Sequence, residues 1–147
     1  QVFVHRDYHS RNLMVTEKGC PGIIDFQDAV EGPLTYDLVS LLRDCYVKWP
    51  AGKVRQGAMY FYELSKLAKQ RTPDEFIRDF DLMGMQRHLK ASGIFSRLLH
   101  RDGKPGYMKD VPRTLSYVVD VAPHHDDVRF VGEFVAQRVL PALGETQ

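Results

Sequence analysis

No stretch of the sequence reaches the roughly eighteen consecutive apolar residues of a bilayer-crossing helix, so no transmembrane helix is expected. The opening residues also lack the charged-then-apolar pattern of a secretory leader. Cysteine is scarce: Cys20 and Cys45 are the two present. Two cysteines make no disulfide framework and read as reduced thiols of a cytoplasmic chain. Neither sign of charge dominates, with 20 basic against 19 acidic residues and a net charge of +1. That balance offers no field to recruit nucleic acid or an anionic membrane surface. The six histidines add positive charge only at lower pH. Internal repeats, low-complexity tracts and a glycine-rich phosphate loop with its lysine are missing as well. What remains is ordinary for a globular chain: 147 residues, 44% apolar and 27% charged, enough for one domain with a sizeable core.

The chemistry concentrates at the beginning. Phe3-Val4-His5-Arg6-Asp7-Tyr8-His9-Ser10-Arg11-Asn12-Leu13 is followed by Gly22-Ile23-Ile24-Asp25-Phe26-Gln27-Asp28. The order is a carboxylate, an amide five residues later, and a second carboxylate after a short hairpin. Phosphoryl transfer asks a protein for positioning and charge neutralisation more than for covalent chemistry. Asp7 is the candidate catalytic base, able to accept the proton of an attacking hydroxyl. Asn12 and Asp25 are the candidate metal ligands. Their oxygens suit magnesium, a hard cation that keeps few protein ligands and binds nucleotide phosphates. H-R-D-x-x-x-x-N is the catalytic-loop order of protein kinases, with Asp25-Phe26 where D-F-G stands. A hairpin is expected between them, with Leu13–Thr16 and Gly22–Ile24 as strands and Gly19 in the turn.

These residues resemble the aminoglycoside phosphotransferase and choline kinase superfamily over Val2 to Pro50. Within it, His5–Leu13 and Ile24–Ala29 are most similar to bacterial cell-wall sugar kinases, as are Tyr36–Tyr46 and Gln86–Lys90. The resemblance implies an α+β, mainly α-helical fold: the C-terminal lobe of a protein-kinase-like enzyme, with a small β-hairpin carrying the metal ligands. It implies that residues 1–147 are the C-terminal catalytic lobe, that the N-terminal nucleotide-binding lobe is absent from this chain, and that the fragment alone is inactive or nearly so. The cofactors implied are Mg2+ and ATP. The reaction implied is transfer of the γ-phosphate to the anomeric hydroxyl of N-acetylmuramate or N-acetylglucosamine in peptidoglycan recycling. The expected partners are a small-molecule sugar and a nucleotide, with no nucleic acid and no membrane.

Supporting roles are expected nearby. His5 reads as a packed ring that holds loop shape. Asp37 sits in the first turn of a helix after Thr35, a candidate N-cap, where the helix dipole favours a carboxylate. The resemblance adds that this aspartate accepts backbone N–H groups of the catalytic loop. Asp28 reads as a turn residue. Arg11 faces either phosphate or solvent, and Tyr8 and His9 either substrate or the lobe. On the long helix, Arg87, His88 and Lys90 are candidate substrate contacts; Arg87 or Lys90 would pair a muramate carboxylate. An ordinary solvated face is the alternative for them.

Helices are expected over Lys53–Gln70, from a Thr72-Pro73-x-Glu75 capping box to about Leu99, over Tyr107–Val121 across Pro112, and over Val128–Leu140. Residues 144–147 should fray. The second His-Arg-Asp, at 100–102, lacks the asparagine and the preceding strand, and reads as a decoy. His124-His125-Asp126-Asp127 reads as a break and acidic helix start, not a metal site. Two other functions fit less well. An aminoglycoside phosphotransferase would want a more acidic acceptor pocket. A non-catalytic kinase-like binding module would have no need of Asp7, Asn12 and Asp25.

Overall fold

The computed structural model describes residues 1–144. It is mostly helical, with two small antiparallel sheets. The chain forms two compact units, Gln1–Met83 and Gly84–Gln147.

In the first unit, β1 (Val2–Val4) pairs with β4 (Val30–Gly32) in the register Val2↔Gly32, Phe3↔Glu31 and Val4↔Val30. Between them, β2 (Leu13–Met14) pairs with β3 (Gly22–Ile23), Leu13 opposite Ile23. The expected hairpin therefore forms, with Gly19 at φ +69° in its turn. The strand entering the His-Arg-Asp loop is tied to the strand leaving Asp25, which closes both segments into one construction.

Helices α1 (Tyr36–Leu42) and α2 (Ala51–Leu64) follow. Val54, Ala58 and Tyr62 recur every four residues on one side of α2 and join Val39, Ala68, Phe76 and Phe80 in the core. A Cβ on Gly57 would stand 2.9 Å from Leu42 Cδ2, so the glycine permits close approach of α1 and α2. Arg43, just past α1, donates to Asp81 Oδ1 at 2.6 Å with its guanidinium 4.5 Å from the Phe80 ring centroid. That pair fixes α1 against the first turns of α3 (Pro73–Asp102). The capping box at the start of α3 is formed. Thr72 N donates to Glu75 Oε2 at 2.8 Å, and Glu75 N donates to Thr72 Oγ1 at 3.3 Å. These bonds hold the Glu75 carboxyl below its usual range, the backbone N–H of Thr72 contributing most.

The second unit contains the rest of α3, then α4 (Val111–Val121), α5 (Arg129–Phe134) and α6 (Leu140–Gly144). Val111, Leu115 and Val118 line the buried side of α4. His88 stacks on Tyr117 with ring centroids 4.7 Å apart, and Phe95 on Tyr107 at 5.6 Å. A Cβ on Gly132 would meet the Cβ of Ala122 at 2.5 Å, so α5 needs glycine there to pack on the turn after α4.

Several expected boundaries shift. The helix expected over 53–70 ends at Leu64; Ser65 is extended, and its hydroxyl accepts Ala68 N to start a separate turn at Ala68–Gln70. The helix expected from Tyr107 begins at Val111, after a 3-10 turn over Pro105–Asp110. Pro112 falls in its first turn, where a missing N–H costs nothing. The single helix expected over 128–140 is divided by a π-helical turn, Val135–Val139. Thr35 occupies the N-cap position of α1 without a side-chain capping bond. Its hydroxyl donates to Asp79 O at 3.4 Å. Of the stretch expected to fray, Gly144 closes α6 and the remaining three residues lie outside the described ones.

Candidate functional site

Residues 5–12 leave β1 and run directly into a loop whose backbone is held from below. Asp37, in the first turn of α1, accepts His5 N at 2.6 Å and Arg6 N at 3.0 Å on its two carboxylate oxygens. A loop this irregular leaves N–H groups without secondary-structure partners, and a carboxylate supplies two acceptors at once. Arg6 adopts a left-handed backbone, φ +75°. Its carbonyl accepts from Ser40 Oγ at 3.5 Å, and its guanidinium reaches back to Asp28 O at 3.3 Å. A non-glycine residue in that region is strained and persists only when its surroundings over-determine it. Here three partners do so, one residue before Asp7.

Asp7 is exposed, and its carboxylate has no hydrogen-bond partner among the described residues. Its backbone carbonyl is engaged, accepting His9 N and the side-chain amide of Asn12 at 2.9 Å. Asn12 is buried at the end of the 3-10 turn Ser10–Asn12. The same amide donates to Asp25 Oδ2 at 3.2 Å. Ile24 N donates to Asn12 O at 3.1 Å. Asn12 is thus the bridge between the segment carrying Asp7 and the segment carrying Asp25.

Asp25 is the second left-handed non-glycine residue, φ +65°. Gln27 Nε2 donates to its Oδ1 at 2.6 Å. His5 is buried, with Nε2 bonded to Ile24 O at 3.0 Å, so the ring joins the loop to the strand before Asp25. Both strained residues sit at the two ends of the polar constellation, as strained backbone at functional sites does.

Other site residues resolve differently. Tyr8 is edge-on to His5, 5.9 Å away, and with Phe3, Ile23 and Phe26 it lines an open apolar hollow of about 440 Å³. His9 is edge-on to Tyr46, and the Arg11 guanidinium lies 3.6 Å from the same ring's centroid. Arg87 and His88 are buried, the latter completely, while Lys90 is exposed. Arg87 and His88 therefore do not belong to an ordinary solvated face, the alternative raised for them. His88 fills the interior of the second unit, stacked against Tyr117. The second His-Arg-Asp ends α3 with Arg101 and Asp102 bonded to each other through Nε–Oδ1 at 2.7 Å. That bond holds the Asp102 carboxyl below its usual range.

Two contributors were not singled out from the sequence. Gln27 stands where D-F-G has its glycine, and an amide two residues after Asp25 is within reach of its carboxylate. Asp44 carries no local signal, and its partner in the loop is 34 positions away.

Among the described residues no group of three or more His, Cys, Asp or Glu side chains is placed to hold a metal ion. Asn12 and Asp25, held together by a hydrogen bond, carry one amide oxygen and one carboxylate, the kind of oxygen ligand a hard divalent cation takes.

Comparison with known proteins finds a family and several named relatives. The family model described as "Phosphotransferase enzyme family" matches residues 1–76. The chain is similar to the N-acetylmuramate/N-acetylglucosamine kinase of Pseudomonas aeruginosa, 45% identical over 139 residues, covering 92% of this chain and 41% of that protein. The protein of the same name from Neisseria meningitidis serogroup B is 47% identical over 131 residues, 87% of this chain and 39% of the relative. That of Pseudomonas putida is 44% identical over 140 residues, 93% and 41%. The chain thus spans about two fifths of the length of these relatives, 39–41%.

Proposed function

Because the chain belongs to the phosphotransferase enzyme family, we propose that it is the catalytic lobe of an amino-sugar kinase, acting on N-acetylmuramate and N-acetylglucosamine at the anomeric hydroxyl in peptidoglycan recycling. The observation that carries this reading is Asn12, whose one amide touches both the Asp7 backbone and the Asp25 carboxylate. The relatives' shared name supports the substrate class. Their greater length supports a further lobe that completes the nucleotide cleft, and the chain by itself then turns over little or nothing.

In this reading Asp7 accepts the proton of the acceptor hydroxyl. The freed oxygen attacks the γ-phosphorus, and the bond to the β-phosphate oxygen breaks as the new P–O bond forms. Asn12 and Asp25 would hold Mg2+ with the phosphates of ATP; when bound, the ion neutralises charge on the transferring group and the leaving diphosphate. Asp37 and His5 keep the loop in register, and Gln27 orients Asp25. Arg87 and Lys90 are the candidate contacts to a sugar carboxylate. Replacing either by alanine then weakens muramate use more than glucosamine use, and equal loss on both would remove that pairing.

The decisive experiment offers labelled ATP to the full-length enzyme with a panel of sugars and aminoglycosides. Label appears on N-acetylmuramate and N-acetylglucosamine. Label on aminoglycosides alone would replace the sugar-kinase reading with the antibiotic one. The Asp7→Asn variant loses about 10²–10⁴ in kcat while its binding of Mn2+ and nucleotide stays near native.

A further inference from the structure

Asp37 holds only the front of the catalytic loop. Its two bonds go to residues 5 and 6, and the asparagine on which the metal reading depends lies six residues further on. The back half has its own carboxylate. Asp44, two residues past the end of α1, is 1% exposed. Its Oδ2 accepts Ser10 N at 2.8 Å, and its Oδ1 accepts Tyr46 N at 2.7 Å. Ser10 opens the 3-10 turn that ends on Asn12, with Asn12 N on His9 O at 2.9 Å. One oxygen therefore sets where that turn begins. The other sets Tyr46, whose ring lies under Arg11 and beside His9. The back half is gripped twice, at its backbone through a charge-assisted bond and at its side chains through an aromatic face.

Resting on the kinase reading above, we propose that Asp44 is a positioning residue for Asn12. Its buried carboxylate fixes the Ser10–Asn12 turn so that the asparagine oxygen meets the metal together with Asp25. A carboxylate is required for this because both oxygens accept. An amide in its place would turn an NH2 group toward one of the two N–H donors, and a buried donor facing a donor is destabilising. Groups that orient metal ligands carry about 10–100-fold in affinity or activity.

The test uses the full-length enzyme and Mn2+ in place of Mg2+, read by electron paramagnetic resonance with a non-hydrolysable ATP analogue, so that binding is measured without turnover. Asp44→Asn weakens Mn2+ binding roughly tenfold and lowers kcat to a similar degree, with the sugar KM nearly unchanged. Introducing Ser10→Pro removes the N–H that Asp44 holds while suiting the first position of a helical turn. The Asp44→Asn penalty is then much smaller in the Ser10→Pro background than in the native one. Should the amide variant not fold, Asp44→Ser, which keeps one acceptor, carries the same measurements. Native Mn2+ affinity in the variant, or the same penalty in both backgrounds, overturns this proposal alone. A native enzyme that binds no Mn2+ with nucleotide overturns the kinase reading and this inference with it.

Discussion

A left-handed backbone at Asp25 makes its replacement asymmetric. At φ +65°, asparagine is at ease and alanine or valine is not. Asp25→Asn therefore removes the charge and keeps the turn, whereas Asp25→Ala also adds backbone strain of roughly 1–3 kcal/mol. Thermal melts should find the asparagine variant near native and the alanine variant shifted, with metal binding lost in both. Equal melting temperatures would mean the turn is held without its side chain. The candidate residues for the chemistry were legible because order along the chain carries them: Asp7, Asn12 and Asp25 announce themselves by spacing. Residues that hold them in place were less so. Asp37 was reachable through the resemblance, but Asp44 was not, since an aspartate after an apolar helix looks like any other until its partner 34 positions back is known. Burial of Arg87 and His88 was equally hidden, because charge and helical spacing predict a solvated face and only tertiary packing overrides that.

Among the elements, the start of α3 was the easiest to read. Thr72, Pro73 and Glu75 form a reciprocal pair of bonds at the helix end, and the chemistry of the cap is written in three neighbouring residues. The Glu75 carboxyl is lowered in the folded chain. Its contribution is complete above the ordinary carboxylate range and disappears as pH falls through the lower folded value. Protection of the Thr72 and Glu75 amides, corrected for the intrinsic exchange rate, should fall in acid, and in Thr72→Ala at every pH, the latter costing about 1 kcal/mol. Exchange rates indifferent to both changes would mean the cap contributes nothing. The C-terminal elements were harder. Hydrophobic periodicity marks one helix where a π turn interrupts it, because a single wider turn is too short to break a pattern read over a longer window. Gly132 shows a constraint that periodicity cannot express: with Ala122 Cβ 2.5 Å from where its own Cβ would be, Gly132→Ala should destabilise by about 1–3 kcal/mol. Denaturant unfolding checks this, and a neutral result would require α5 to shift outward at no cost.

For the molecule as a whole, mainly helical architecture with a small hairpin followed from the sequence. Its division at Met83–Gly84 did not, since α3 continues across that point as one uninterrupted helix. Beside the His-Arg-Asp loop, Phe3 and Phe26 are 73% and 63% exposed, with Ile23 and Val30 nearly half so. Apolar area of this kind on one side of a chain tends to be covered. Expressed by itself, the chain should self-associate with rising concentration, and Phe26→Ser should reduce that in light scattering. A clean monomer at high concentration would count heavily against it. The hollow between Phe3, Tyr8, Ile23 and Phe26 also biases any compound screen run on this chain. Flat, greasy molecules will be retained there first, and such hits will report a surface seeking cover, with no bearing on whether phosphate is moved.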